Sequence, residues 1–297
     1  IRSPLSRPLL ARGRLVRPLL RRALRGHVPT PRAGGAWPAP RHDRRWLAFA
    51  GCVQEIARPA INASAARVFD RAGMSLVRAE GGCCGALAHH LGAHEEALAQ
   101  ARRNVDAWTP ALEGGAAGIF CASSGCSTML KDYGRLLAHD PAYASRAREV
   151  AERVRDSTEF VGDLRLDAAA GVRVAVQAPC SVQHGLKGTG RLERALGQLG
   201  CVVQTPADAH LSCGSAGGYS LLQPALSGEL RSRKLGHLQS GGPEVIASAN
   251  IGCMLHLEAV SDTPVRHWLE IVDGIQATAS GATESRNLFT DDDRSSG

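Results

Sequence analysis

The sequence predicts an α/β fold made of two tandem, pseudo-symmetric copies of one unit. Each copy is a small parallel sheet flanked by helices, with cysteine loops at the carboxyl ends of its strands. Three observations carry this prediction. Cys52 and Cys180 lie 128 residues apart, Cys84 and Cys213 129, and Cys126 and Cys253 127; three matched offsets mark an internal repeat. Around each cysteine the order of apolar runs, glycine-rich loops and helical stretches is the same in both copies. A length of 297 residues with 44% hydrophobic content and 33 glycines also suits two ordinary domains rich in tight turns.

Each copy opens on an apolar run ending at a cysteine, Trp46–Cys52 and Val172–Cys180, which reads as a buried strand delivering a thiol. Helices follow over 60–72 and 190–199 and stop at Gly73 and Gly200, residues suited to a C′ position. Second short strands are expected at 74–78 and 201–205. Next come the loops Gly81-Gly82-Cys83-Cys84-Gly85 and Leu211-Ser212-Cys213-Gly214-Ser215. Longer helices, 95–108 and 223–239, lead to third strands at 118–122 and 244–249, which end in Ser123-Ser124-Gly125-Cys126 and Asn250-Ile251-Gly252-Cys253. Parallel strands in this order bring all the thiol loops to the carboxyl edge, where α/β sheets hold their ligands.

The domain organisation expected is a basic arm at 1–45, the first copy at 46–165, the second at 170–275 and a disordered polar tail at 276–297. The leucines and arginines of 9–25 have helical spacing, and the arm reads as the remnant of a connection to an upstream domain. Aromatic residues make up 4% of the chain, so an aliphatic core is expected. Twelve of the 35 basic residues fall within residues 1–46, against one of the 28 acidic ones, so the remainder has a net charge of −4. A nucleic-acid binder carries its positive charge on the folded domain, so nucleic-acid binding is not expected. No apolar run reaches the roughly 18–20 residues needed to span a bilayer, so any membrane contact is expected to be peripheral.

Nine cysteines in glycine-rich loops argue for metal or redox chemistry in a reducing compartment rather than a secreted disulfide framework. In the first copy Cys52, Cys83, Cys84 and Cys126 supply four convergent thiols, a soft donor set suited to zinc or an iron–sulfur cluster. Structural zinc favours close CxxC pairs, and none occurs here, which puts the cluster ahead. Cys121 and Cys201 read as core. In the second copy Ser212 stands where the first has Cys83. That leaves Cys180, Cys213 and Cys253 to hold a cluster with an open fourth position, line a pocket, or persist in a degenerate structural copy. His184 and His256 are the histidines best placed near those thiols. The glutamates 95 and 96 and the arginines 102, 103 and 135 read as solvated helix faces.

Two repeats of the form Cys…Cys-Cys-Gly…Gly-Cys resemble the cysteine-rich CCG domain family, found in heterodisulfide reductases, lactate-utilisation iron–sulfur proteins and the glycolate oxidase iron–sulfur subunit. The likeness is greatest to the last, through Ala50–Gln54, Gly82–Gly85, Arg103-Asn104 with Trp108, Ser124–Cys126, Lys131–Gly134, Asp140–Tyr143, Gln183-His184, Cys213–Gly217, Asn250–Cys253 and Val265–Trp268. The resemblance implies an electron-transfer subunit of a glycolate (2-hydroxy acid) dehydrogenase, with a [4Fe–4S]-type cluster on Cys52, Cys83, Cys84 and Cys126. It would relay electrons from a flavin subunit, which carries the FAD, to a quinone or membrane acceptor. It implies a cytoplasmic protein, with room for peripheral contact at the inner membrane, acting as part of a complex. Family members also carry an N-terminal ferredoxin-like domain with two CxxCxxCxxxCP motifs, and no cysteine precedes Cys52 here. The competing expectations are a non-catalytic docking module with vestigial thiols and a zinc-binding structural protein.

Overall fold

The computed structural model describes residues 34–164 and 171–279. The chain divides into two units between Phe160 and Val161. The arm up to residue 33, including the helical spacing of 9–25, lies outside the described residues.

In the first unit, β1 (Arg45–Phe49) leads through the short α1 (Gln54–Ala57) and α2 (Ala60–Arg71) to β2 (Ser75–Arg78). The chain continues through α3 (Ala86–His90) and α4 (His94–Glu113) to β3 (Gly118–Cys121). Three further helices, α5 (Ser124–Lys131), α6 (Tyr133–Leu136) and α7 (Ala144–Glu152), precede β4 (Val154–Asp156). All pairings are parallel, in the order β2-β1-β3-β4.

Residues of β1 and β3 alternate between two covered faces, as a parallel sheet requires. Leu47, Phe49, Ile119 and Cys121 join Val105, Trp108 and Tyr133 on one side. Trp46, Phe69, Phe120 and Phe160 pack together elsewhere, with ring centroids 4.8 Å apart for Trp46–Phe160 and 4.9 Å for Phe69–Phe120. The buried core is mostly aliphatic, as composition leads one to expect, with Trp46, Phe69, Phe120 and Phe160 clustered within it.

The second unit repeats the plan. β5 (Arg173–Val176) is followed by a single wide helical turn at Ser181–Gly185, α8 (Arg191–Gln198) and β6 (Val202–Gln204). Then come α9 (Tyr219–Leu222), α10 (Pro224–Gln239), β7 (Val245–Ser248), α11 (Ile251–Glu258), β8 (Val265–His267) and α12 (Trp268–Ala279). The sheet order is β6-β5-β7-β8, again parallel throughout.

Three strands per copy were expected and four are present, because β4 and β8 are three-residue edge strands too short to show a period. The expected strands also ran too far: β1 and β5 end before Cys52 and Cys180, which lie beyond the ladder. Helix α12 continues to Ala279, past the tail boundary expected at 276; the rest of the tail lies outside the described residues. Arg102 is not a free solvated charge, since its Nε donates to Asp140 at 2.7 Å.

Ahead of β1 the chain is tied down by Asp70, at the end of α2. The Arg41 guanidinium donates to both carboxylate oxygens of Asp70, at 2.8 and 2.7 Å, and His42 Nε2 lies 3.0 Å from Oδ1. Burial pulls the Asp70 pKa upward, but the bonds to Arg41 and His42 outweigh it and hold the carboxyl below its ordinary value. A carboxyl with a depressed folded pKa stabilises the fold above its unfolded pKa and loses that contribution as pH falls through the folded one. Asp70→Asn should therefore lower the thermal midpoint at neutral pH. Its gap to the wild type should shrink as pH drops below about 4, as read from melting curves across pH.

Candidate metal centre

The strand order 2-1-3-4 reverses direction between β1 and β3, and the crevice beyond their carboxyl ends is where such sheets bind ligands. Cys52 follows β1, the Cys83-Cys84 pair follows β2, and Cys126 sits in the first turn of α5, just after β3. All four expected residues thus meet at one edge. Cys52 Sγ lies 3.3 Å from Cys83 Sγ. The Cys84 thiol hydrogen-bonds Cys126 and Cys83, and the Cys126 thiol also reaches Cys121. Cys121, read from sequence as core, is fully buried but ends this chain of sulfurs.

These contacts push the thiols up. The Cys52 pKa is raised by the bond to Cys83, then by burial and the neighbouring sulfurs. That of Cys84 is raised by bonds to Cys126 and Cys83, then by burial. The Cys126 pKa is raised by Cys121 and by burial, against a lowering bond from Cys84. Four thiolates this close cannot all ionise unless positive charge sits among them. Among the described residues, no three or more His, Cys, Asp or Glu groups form a ready cage for a metal ion; the thiols bond to one another instead. The donor chemistry fits a soft, thiophilic centre whose charge would ionise the thiols outright.

Sequence reasoning missed what holds these loops. Asn104 of α4 accepts from Gly82 N–H at 2.9 Å, and its Nδ2 donates to the Cys83 carbonyl at 3.0 Å and to Tyr133 Oη at 2.9 Å. Tyr133 in turn donates to the Cys84 carbonyl at 2.8 Å, and Trp108 Nε1 donates to the Glu80 carbonyl at 2.7 Å. Asn104, Trp108 and Tyr133 are all fully buried. The signal was present as polar-capable residues at core positions of helices, but their partners are far away in sequence. Gly85 follows the pair at φ +92°, and a Cβ there would press on the Ala97 carbonyl, so the turn that aims Cys84 inward needs glycine.

In the second unit Cys213 and Cys253 come together, with Sγ atoms 2.9 Å apart, both buried. Cys180 is exposed. Asn250 caps α11, its Oδ1 accepting from the Gly252 and Cys253 amides, which sets Cys253 in the first turn. Ser212 Oγ receives the Gly214 amide at 3.1 Å. His256 stands by the same loop, its Nε2 3.2 Å from Ser227 Oγ, whereas His184 is exposed. Cys213 is held low by the bond from Cys253, against its burial, with help from backbone amides and Lys234. Cys253 is pushed up by Cys213 and by burial. Cys201, expected as core, is buried, which raises its pKa to about 11.

The family model described as "CCG: Cysteine-rich domain" matches residues 46–131 and again 174–258. The chain belongs to the CCG cysteine-rich domain family. It is 44% identical to the glycolate oxidase iron-sulfur subunit of Escherichia coli K12 over 90% of this chain and 67% of that protein. It is 26% identical to lactate utilization protein A of Shouchella clausii, over 70% of this chain and 88% of the relative. The E. coli protein YkgE is 31% identical over 59% of this chain and 74% of its own length. The family resemblance read from the residues is thus met, and both matched segments contain the thiol loops described above.

Removing the Asn104 side chain would orphan the Gly82 amide and the Cys83 carbonyl. Asn104→Ala should cost about 1–3 kcal/mol of stability, measured by denaturant unfolding. Tyr133→Phe should cost less, because the Cys84 carbonyl loses its donor while the ring still fills the core.

Proposed function

We propose that this chain is the iron–sulfur subunit of a glycolate oxidase, an oxidoreductase complex in which it does not work alone. The observation that carries the reading is the 44% identity to the E. coli glycolate oxidase iron-sulfur subunit across nine-tenths of the chain. The convergence of four thiols at the first sheet's switch point supports it.

In this reading Cys52, Cys83, Cys84 and Cys126 hold an iron–sulfur cluster, of [4Fe–4S] type. When bound, the cluster supplies a one-electron carrier between a separate FAD-bearing subunit and a quinone-type acceptor. The residues of the chain itself hold that centre and shield it. Asn104 and Tyr133 clamp both carbonyls of the Cys83-Cys84 pair, so the thiols keep one geometry as charge changes. Phe49, Met129 and Trp108, in the same buried cluster as Cys84, lower the local dielectric, and burial of this kind is one of the protein's means of setting a cluster's potential.

Among the described residues no helix is long and apolar enough to cross a membrane. In this reading electrons pass to a quinone-type acceptor through peripheral contact at the inner membrane, from the cytoplasmic side.

Anaerobically purified protein should contain iron and acid-labile sulfide in comparable amounts. The Cys83→Ser/Cys84→Ser variant should lose most of both, while Cys213→Ser keeps them. Stoichiometric zinc without iron would refute the reading.

A further inference from the structure

The second unit is not simply a first unit short of one thiol. Its site has a different floor. In the first unit Phe49 and Cys121 face each other across the β1–β3 ladder. The β5–β7 ladder pairs Val174, Ala175 and Val176 with Val245, Ile246 and Ala247, so the next positions, Gln177 and Ser248, stand level with Phe49 and Cys121. There Ser248 Oγ bonds Gln177 Oε1 at 2.6 Å, and the Gln177 side chain also hydrogen-bonds Cys253.

The helix above has changed as well. Gly85 lies against the Ala97 carbonyl and Gly214 against that of Ser227. Counting seven residues on from each places Lys234 level with Asn104. Lys234 is wholly buried. Its Nζ donates to the Ala209 carbonyl at 2.9 Å; burial lowers its pKa, and Cys180, Cys213, Cys253 and Asp208 act against that lowering. A buried ammonium is costly unless an anion faces it. The acidic groups that favour its charged form are the three thiols and the Asp208 carboxylate. An ammonium beside a buried thiol pair stabilises the reduced form in which one thiol is ionised, and Cys213 is the one held low.

We propose that Cys213 and Cys253 are a reversible dithiol–disulfide pair, with Lys234 as its positioning charge, that exchanges with small disulfides arriving past the exposed Cys180. Their sulfurs must close by about 1 Å to reach disulfide bonding distance, a side-chain adjustment. The step balances: the two thiols lose two electrons and two protons and form one S–S bond, while the incoming disulfide R–S–S–R takes both and leaves as two R–SH. Cys180, the thiol that solvent reaches, attacks first and is returned as a free thiol once the inner pair has closed.

The proposal rests on the assignment of iron to the first unit. Its test uses the full chain, purified anaerobically with its iron and equilibrated with reduced and oxidised dithiothreitol at a series of ratios. Each sample is acid-quenched and alkylated, and its peptides are weighed. The expected product is a peptide containing Cys213 joined to one containing Cys253, in a fraction that follows the ratio. Lys234→Met should shift the equilibrium constant toward the disulfide by about tenfold, the effect of one unit of lost thiolate stabilisation, and Lys234→Arg should restore it. Cys180→Ser should slow the approach to equilibrium but leave the end point unchanged.

Cysteines 213 and 253 that stay reduced at every ratio, or an end product linked to Cys180, would overturn the pair. Equal equilibrium constants for wild type, Lys234→Met and Lys234→Arg would overturn the role of Lys234. Iron retained by Cys83→Ser/Cys84→Ser but lost from Cys213→Ser would overturn the iron assignment as well. Reduced thiols in a protein whose iron depends on Cys83 and Cys84 would overturn this proposal alone.

Discussion

Four thiols brought within hydrogen-bonding reach of one another cannot all be anions, and much of the first unit is arranged around that constraint. The parallel sheet puts Cys52 and Cys126 beyond adjacent strands and the Cys83-Cys84 pair beyond the strand next to them. Burial and S–H···S contacts then push their titration upward. Left to themselves such groups stay protonated. A multiply charged, thiophilic centre would reverse that balance. The buried bonds from Asn104 and Tyr133 to the loop carbonyls serve the same end from the other side, because they fix the backbone where the side chains repel.

The same scaffold carries a different balance in the second unit. Ser212 replaces one thiol, Lys234 brings in a buried positive charge, and Gln177 and Ser248 turn an apolar floor polar. Two sulfurs there have a buried lysine and hydrogen-bond donors to lean on. Duplication kept the sheet, the glycine turn and the position of the thiols, while the groups that set their charge diverged.

Much of this was legible in the sequence because cysteine spacing repeats and glycines flank each loop. The sheet edge and the four convergent thiols followed from the strand–loop–helix order alone. The edge strands did not, since Val154–Asp156 and Val265–His267 are too short to show alternation. The clamps were also hidden. Asn104 and Tyr133 lie 21 and 49 residues from the carbonyls they bond, so although both fall in segments that carry the family resemblance, their role was not legible. Lys234 was the least visible, because nothing between Arg233 and Leu235 marks this one charged residue of α10 as buried. His184, favoured from sequence because it follows Cys180, is turned to solvent.

The central claim is that the two units share a fold but divide their chemistry, with the metal centre in the first. A crystal of anaerobically prepared protein, measured at the iron absorption edge, tests it most directly. The account predicts anomalous density bounded by Cys52, Cys83, Cys84 and Cys126, and none beside Cys213 and Cys253. Iron density beside Lys234, or none in the first unit, would contradict it.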